Sequence, residues 1–337
     1  MAQVFPSASA PHIRTSDSVR KIMLDVLIAL IPAVIVSVIV FGWSALVICL
    51  TGLVSAVAIE LFIMKVLRKK KDFVPDGSAA VTGLLLAMNM PAGFPWYLFL
   101  IGVLIAIGLG KHVYGGLGSN PFNPALVGRV FLVISFPTAM GTYMKPGIWK
   151  SMDSLTTAAT PLITGATPMG ILKESGIQTA LSNHSYMDMF LGNIGGALGE
   201  VSALALIIGF VYLLIRKHVS WHIPLAYIGT VLIISSIFYM ISPDQYGTPL
   251  YHLLGGGLML GALFMATDMV TSPSTVKGSL IFGAGCGLIT MLIRYAGALP
   301  EGVAFSILIM NAVKPLIDKG TRRRPFGAIK KGVKSNG

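Results

Sequence analysis

The chain has 337 residues, of which 54% are hydrophobic and only 11% are charged, and its formal net charge is +12. A soluble globular protein has about 25% charged residues, so this composition excludes a soluble enzyme, a nucleic-acid-binding protein and a disordered chain. It is typical of an integral membrane protein with little mass outside the bilayer. Cys49 and Cys286 both lie in apolar segments, and no Cys or His cluster predicts a disulfide framework or a protein-bound metal.

Ten apolar segments follow one another along the chain, and each is a candidate membrane helix. A helical span needs about 20 mostly apolar residues, and several of these segments are shorter or contain Gly or Pro. We therefore expect an all-α integral membrane protein with about ten transmembrane helices, some of them short or broken. The segments are 23–41, 43–64, 78–91, 94–110, 125–143, 201–215, 223–241, 250–267, 278–293 and 303–317.

Lysine and arginine residues predict the orientation of the chain. With ten spans and both termini inside, every basic cluster falls on the cytoplasmic side of the cell membrane, as the positive-inside rule requires. The longest connection, 144–200, falls outside, and up to position 199 its three lysines balance three acidic residues. The net positive charge therefore indicates orientation and not affinity for nucleic acid. The basic positions lie in 14–21, 68–71, 111, 216–217, 277 and 319–334.

A weak internal repeat relates the two halves of the chain. Segment 86–91 resembles 265–270, and 118–125 resembles 297–304, and both pairs have the same offset along the chain. Five spans in each half place the second copy upside down, as in many inverted-repeat transporters; the alternative is that Gly- and Ala-rich helices resemble one another by composition. The repeat predicts a first five-span unit (1–143), an outer loop (144–200), a second five-span unit (201–318) and a basic cytoplasmic tail (319–337).

The segment 114–129, YGGLGSNPFNPALVGR, cannot form a continuous helix because of its glycines and prolines. Asn120 and Asn123 offer amide donors and acceptors, and Pro124 suits the first turn of a helix that carries Arg129. Two interpretations remain open. The segment is either a site for a flat polar ligand or an ion at a helix break, or an ordinary cytoplasmic turn.

Charged side chains within the apolar segments are candidates for an ion pathway. Asp268 ends a short Gly-rich segment, and Asn89 is its equivalent in the repeat, so these two are the predicted pathway residues. The alternative for such charges is a structural role at a helix end.

Other charges near the ends of spans are functional candidates for the same reason. For Asp25, Arg129 and Arg294 the alternative is a position at a helix end from which the side chain extends its charge to the membrane interface. Glu60 lies near the inner end of its span, and we expect it to pair with Lys65.

Seven ordered motifs spread over more than 300 residues resemble a known family. On the basis of these motifs, the chain resembles the D subunit of the Rnf complex, the membrane-bound ion-translocating ferredoxin:NAD+ oxidoreductase. It is similar, more distantly, to the B subunit of the sodium-translocating NADH:quinone reductase. The motifs are APHIR (10–14), DGSAAVTGLLLAMNMP (76–91), YGGLGSNPFNPALVGR (114–129), TAATPL (157–162), RKHVSWHIPLAYIGT (216–230), LLGGGLMLGALFMATDMVTSP (253–273) and PEGVAFSILIMNAVKPLID (300–318).

The resemblance implies a covalent flavin. In this family a threonine on the outer loop carries FMN through a phosphodiester, installed by a flavin transferase, in a pattern Asp-x-x-Ser/Thr-x-Ala-Thr-Pro-Leu. Six residues after Asp153 stands Ala159, and Thr160 comes one residue late. Thr167 lies in a cleaner Thr-Gly-Ala-Thr core but has no aspartate at the right distance. Thr160 is the predicted FMN carrier because Asp153 is close, and Thr167 is the alternative.

The resemblance also implies a non-covalent flavin, riboflavin, in the membrane part. We expect it at Asn120 and Asn123, near Arg129 on the next helix and the repeat partner around Asp268. The resemblance implies that the chain is a membrane subunit of a redox-driven Na+ or H+ pump. It would relay electrons through flavin and have no catalytic residue of its own. Partner subunits would hold the iron–sulfur clusters, the NAD site and a second flavin. Rival functions are a cofactor-free channel or small-solute transporter, and a structural anchor of a redox complex.

Overall fold

The computed structural model describes residues 18–70, 73–147, 165–297 and 300–322. Within these ranges the chain is mainly helical, with an isolated bridge between Pro91 and Ala197. Three helices adjoin π-helical turns, at Ile63–Leu67, Ala106–His112 and Gly261–Met265. The helices are α1 Val19–Phe41, α2 Trp43–Phe62, α3 Ser78–Met88, α4 Trp96–Ile105, α5 Pro124–Ser135, α6 Pro137–Met140, α7 Pro168–Asn183, α8 Tyr186–Leu191, α9 Ala203–Ile215, α10 His222–Ile241, α11 Pro243–Tyr246, α12 Pro249–Leu254, α13 Leu258–Leu260, α14 Val276–Ala296 and α15 Val303–Thr321.

Among the described residues, four helices are long and apolar enough to cross a membrane: α1, α2 with its π-helical turn, α10 and α14. The pair Pro243–Leu254 and Leu258–Met265, bent by 45°, is a fifth candidate. The apolar helices α3, α5 and α9, and α4 with its π-helical turn, are shorter. Each apolar segment of the sequence coincides with a helix, which confirms an all-helical multi-pass membrane protein. Ten complete crossings stay a prediction.

Small residues bring the helices into close contact. A Cβ built on Gly83 of α3 would lie 2.1 Å from the carbonyl oxygen of Gly52 on α2, so a larger residue would push the two helices apart. Such contacts are the usual source of helix association in lipid. Large apolar side chains such as Ile39, Val54 and Ile233 are instead exposed on the outer faces of α1, α2 and α10. This distribution is the one that a lipid-facing surface requires.

Helix boundaries in the two halves follow the offset found in the sequence. α2 and α10 begin at Trp43 and His222, which have the same separation as the repeat partners Asn89 and Asp268, and the ends of these two helices keep it. α5 and α15 begin with this separation as well, at Pro124 and Val303. α3 and α4 have counterparts in α13 and α14 whose starts depart from it by a single position. The correspondence therefore covers long and short helices alike.

The end of the short helix α3 meets the end of the π-helical turn that follows α13, in the interior of the protein. Asn89, directly after α3, donates from Nδ2 to the Leu85 carbonyl at 2.7 Å and contacts Met265 Sδ at 3.4 Å. Asn123, the N-cap of α5, donates from Nδ2 to the Met265 carbonyl at 3.1 Å. Helix breaks from both halves thus lie against each other within the protein, where their backbone groups find partners.

Candidate functional site

A buried ion pair lies beside these helix breaks. Arg129 of α5 donates hydrogen bonds to Asn89 Oδ1 and to Glu301 Oε2, and only 8% of Arg129 is exposed. Asn89 follows α3 and Glu301 precedes α15, so the arginine joins the two halves of the chain. The alternative, in which Arg129 extends its charge to the membrane interface, does not hold, because the guanidinium finds its partners within the protein.

Glu200 and Arg294 complete this ionic cluster. The carboxyl group of Glu200 is a close neighbour of Glu301. Arg294 of α14 is 4% exposed and donates to the carbonyls of His252 at 2.6 Å and Gly255 at 2.9 Å. Its charge also acts on both glutamates. Arg294 therefore lies in the last turn of α14, as the alternative has it, but does not extend its charge to water. Arg129 pairs with Glu301, which limits the cost of burying these two charges.

Two carboxyl oxygens of the cluster, Glu200 Oε1 and Glu301 Oε1, receive no N–H or hydroxyl donor within the described ranges. The carboxyl groups of Glu200 and Glu301 instead lie in hydrogen-bond contact with each other, which two carboxyl groups can form only by sharing a proton. Glycines make room for the charged groups. Gly256 has a φ of +64° and a Cβ on it would lie 3.0 Å from Arg294 Nη2, while a Cβ on Gly257 would lie 3.5 Å from Glu200 Oε1. A side chain at Gly256 would be strained and would press on Arg294, whereas a Cβ at Gly257 would make an ordinary van der Waals contact.

A cavity of about 310 Å³ adjoins the Arg129–Glu301 pair. We call it the outer cavity because it borders the predicted outer loop. Tyr143 and Thr167 add hydroxyl groups to its lining, and the exposed Glu174 lies at its edge. Its volume is at the lower end of the range for small-molecule sites, about 300–1,000 Å³. The rest of the lining is mainly apolar and includes Val133, Pro137, Met140, Ala304 and Phe305.

Thr167 is the N-cap of α7. Its Oγ1 accepts a hydrogen bond from the Gly170 backbone N–H at 3.1 Å, and 5% of the residue is exposed. A phosphodiester on this oxygen would lie at a helix N-terminus, where free N–H groups and the helix dipole favour an anion. Thr167 therefore combines an esterifiable hydroxyl with a phosphate-compatible position.

The described ends of the outer loop converge on the same cavity. The Gly165 N–H donates to the Tyr143 carbonyl at 2.9 Å, and Tyr143 and Ala166 both line the cavity. The lining offers apolar side chains together with hydroxyl and charged groups beside Thr167, so the residues present fit a flavin. Thr160 and Asp153 lie outside the described residues, and their roles stay predictions.

Asn120, Asn123 and Asp268 meet on a second cavity, which we call the inner cavity. Asn120 Oδ1 has no partner in the described part of the chain, and Asp268 accepts a hydrogen bond from Thr271 Oγ1 at 3.0 Å. The cavity volume is only about 80 Å³, far below that of sites for drug-sized ligands. In this conformation the inner cavity does not enclose a three-ring flavin. Asn89 and Arg129 belong to the ionic cluster instead.

Glu60 pairs with Lys111, which corrects the expected pairing with Lys65. Lys111 Nζ donates to Glu60 Oε1 and to Ser78 Oγ at 2.5 Å, and Ser78 and Lys111 line the inner cavity. Both lysines lie in π-helical turns. Such turns differ from α-helical spacing and change which side chain meets the neighbouring helix. The expectation placed the partner of Glu60 on the same span, and it is wrong because the buried carboxylate faces Lys111 of another helix.

Asp25 is buried as well, with 3% of the residue exposed. It receives hydrogen bonds from Tyr212 Oη at 2.8 Å and Arg216 Nη2 at 2.9 Å and pairs with His218 Nε2 at 2.6 Å. These partners come from α9 and the turn that follows it. Partners from another helix thus surround the Asp25 carboxylate in place of water, so it does not extend its charge to solvent as the alternative supposed.

Several residues of these sites were not expected from the sequence: Glu200, Glu301, Lys111 and Tyr143. Each lies at the border between an apolar segment and a connection, where a polar side chain usually faces water. A signal existed for Glu301, because its segment 297–304 is the repeat partner of 118–125. Only the tertiary fold turns these side chains inward.

Comparisons with known proteins agree with one another. A profile of the NQR2, RnfD, RnfE family matches residues 7–327. The D subunit of the proton-translocating ferredoxin:NAD(+) oxidoreductase complex of Clostridium ljungdahlii is 46% identical over 329 residues, covering 96% of both chains.

Two further relatives extend the comparison. The D subunit of the Na(+)-translocating ferredoxin:NAD(+) oxidoreductase complex of Acetobacterium woodii is 44% identical over 96% of this chain and 95% of its own. The D subunit of an ion-translocating oxidoreductase complex of Stutzerimonas stutzeri is 40% identical over 94% of both. The chain therefore belongs to the NQR2, RnfD, RnfE family.

Proposed function

We propose that this chain is the D subunit of an ion-translocating ferredoxin:NAD+ oxidoreductase complex and relays electrons through flavin in the membrane. Likeness along nearly the whole chain to the subunits of Clostridium ljungdahlii and Acetobacterium woodii supports this role. Those two relatives are named for different ions, a proton and Na+. Iron–sulfur clusters, the NAD site and a second flavin belong to partner subunits in this proposal.

The position of Thr167 carries the flavin assignment. It lies at the N-terminus of α7 and lines the outer cavity together with Arg129. FMN bound to Thr167 or Thr160 through a phosphodiester would supply one- and two-electron transfer. On Thr167 the helix N-terminus would hold the phosphodiester, and the apolar lining would keep water from the ring. The alternative, Thr160, has Asp153 of the family motif close in the sequence.

Fluorescence of the polypeptide from its native host, denatured and separated on a gel, tests this proposal. A covalent flavin survives denaturation, so we expect a fluorescent band under ultraviolet light. A dark band would contradict the proposal and favour a channel, a small-solute transporter or a structural anchor.

Peptide mass mapping of residues 151–173 then decides between the two threonines. Thr160→Ala and Thr167→Ala are matched variants, because both threonines lie in an Ala-Thr-Pro triplet. Only one of the two substitutions should abolish the fluorescence. Retained fluorescence in both variants would exclude both sites as the sole carrier.

A riboflavin at the inner cavity is the second part of the proposal. The polar groups of Asn120, Asn123 and Asp268 support it, although side chains around the cavity of about 80 Å³ would have to move. We expect purified native protein to release riboflavin on denaturation, and Asn120→Ala to lower the amount per polypeptide. An unchanged amount would remove this site from the proposal.

We further propose that the two halves are inverted repeats, with both termini in the cytoplasm and the flavin loop outside. The shared offset of the helix boundaries supports the repeat. Because Cys49 and Cys286 are buried, single cysteines report the topology in intact cells. An impermeant thiol reagent should label Lys145→Cys and should not label Lys217→Cys. The reverse pattern would contradict the orientation.

A further inference from the structure

The outer cavity combines apolar side chains with one buried pair of opposite charges. Val133, Met140 and Phe305 contribute the apolar part of the lining. Arg129 and Glu301 contribute the buried charges, with side chains that are 9% and 12% exposed. The cavity therefore suits an occupant with flat apolar faces and an edge that gains or loses charge.

The charged pair is costly to keep at this depth. Well-packed apolar residues often stabilise a fold as much as a buried ion pair or more, and charges within a membrane usually mark functional sites. Hydrogen bonds to Asn89 and Glu301 hold the Arg129 guanidinium in place. Because little water screens charges in such a site, the pair acts strongly on whatever occupies the cavity.

We propose that the outer cavity holds the isoalloxazine ring of the flavin attached to this chain and that Arg129 and Glu301 set its reduction potential in opposite directions. This inference rests on the proposed function, since it needs a flavin on the polypeptide. It goes further because it assigns a place to the ring and a role to two residues. Both residues, and Thr167 beside them, line the same cavity.

The sign of each effect follows from charge. Reduction adds negative charge to a flavin, so a nearby cation favours the reduced form and a nearby anion disfavours it. Arg129→Gln leaves Glu301 unbalanced and should lower the midpoint potential. Glu301→Gln leaves Arg129 unbalanced and should raise it. A purely structural role for the pair would not produce opposite shifts.

The experiment is a redox titration of the full chain, produced with a flavin transferase, purified in detergent and followed by flavin absorbance. We expect each single variant to change the ratio of oxidised to reduced flavin at least tenfold at a fixed potential, about 30 mV for a two-electron couple. The double variant Arg129→Gln/Glu301→Gln restores the balance of charge and should return close to the wild-type value. Asp244→Asn is the matched control, because Asp244 is an exposed carboxylate that does not line the cavity.

Single variants that carry flavin and keep the wild-type elution volume, yet shift no more than Asp244→Asn, would overturn the inference. Absence of flavin from the native polypeptide would instead contradict the proposed function.

A second measurement leaves the ion pair intact and covers the case in which the single variants misfold. Val133→Trp fills part of the cavity and should expel the ring, so that iodide quenches flavin fluorescence at least threefold more strongly than in wild type. Unchanged quenching would place the ring elsewhere and overturn the inference.

Discussion

The outer and inner cavities each lie next to a buried ion pair, but the two ion pairs differ in how far they border the cavity. Each lies beside a helix break and beside a buried pair from two different elements, Arg129–Glu301 at the outer cavity and Lys111–Glu60 at the inner one. Both members of the outer pair line a cavity of about 310 Å³. Of the inner pair, Lys111 lines the inner cavity of about 80 Å³ and Glu60 does not. The difference indicates that the inner pair holds helices together, while the outer pair faces space for a ligand.

Breaking the inner pair should have the largest effect on stability. Glu60→Ala leaves the buried Lys111 ammonium without its carboxylate, and we expect a loss of about 3–5 kcal/mol in the free energy of unfolding. SDS-induced unfolding followed by circular dichroism measures it. The double variant Glu60→Leu/Lys111→Met removes both charges and should recover most of the loss. A loss below about 1 kcal/mol for Glu60→Ala would contradict the structural role of the inner pair.

Substitution of one glycine in each region measures how tightly the ionic cluster and the loop near the inner cavity are packed. Gly256, in the ionic cluster, has φ +64° and a Cβ there would lie 3.0 Å from Arg294 Nη2, whereas Gly118, near the inner cavity, has φ +91° and open space. We expect Gly256→Ala to cost about 2 kcal/mol through strain and displacement of Arg294. Gly118→Ala should cost about 1 kcal/mol through strain alone. Equal losses in the same unfolding assay would show that the cluster is no more constrained than the loop.

The two asparagines of the inner cavity should differ in their structural contribution. Asn123 accepts from the Ala125 N–H at 3.0 Å and donates to the Met265 carbonyl, so Asn123→Ala should cost about 1–2 kcal/mol. Asn120 has an unpartnered Oδ1 among the described residues, and Asn120→Ala should cost less than about 1 kcal/mol. If Asn120→Ala cost as much as Asn123→Ala, a structural role would explain Asn120 and its assignment to riboflavin would lose support.

The smallest expected effect is a dependence on pH at the outer side. Burial lowers the pKa of His184, which lies beside the Ala166 backbone, below its ordinary value of 6.5. The unfolded chain then binds a proton more readily than the folded one, so stability falls as the pH drops below about 6.5. His184→Gln should flatten this dependence slightly in thermal unfolding between about pH 5 and pH 8, because His184 is partly exposed. Identical slopes in wild type and variant would contradict the assignment.

Local patterns in the sequence predicted most of the helices and part of the sites. Apolar runs predicted each helix that forms a candidate span, and the offset between the repeated segments reappears in helix boundaries at Trp43 and His222. The family resemblance and the internal repeat placed Asn120, Asn123 and Asp268 at one expected site, and these residues line one cavity. The sequence did not predict the partners of the buried charges. Glu60 was expected to pair with a nearby residue on its own helix and instead pairs with Lys111 of another helix.

By itself the amino-acid sequence determined the class of the protein, its helical segments and its family, because these depend on composition, periodicity and ordered motifs. Only the tertiary structure decided where the scarce charges lie. Asp25, Arg129 and Arg294 each turn inward to partners from distant parts of the chain. The physical reason is that a charge near the end of a span is stable either in water or beside a partner inside the protein. Which of the two it meets depends on how the helices pack.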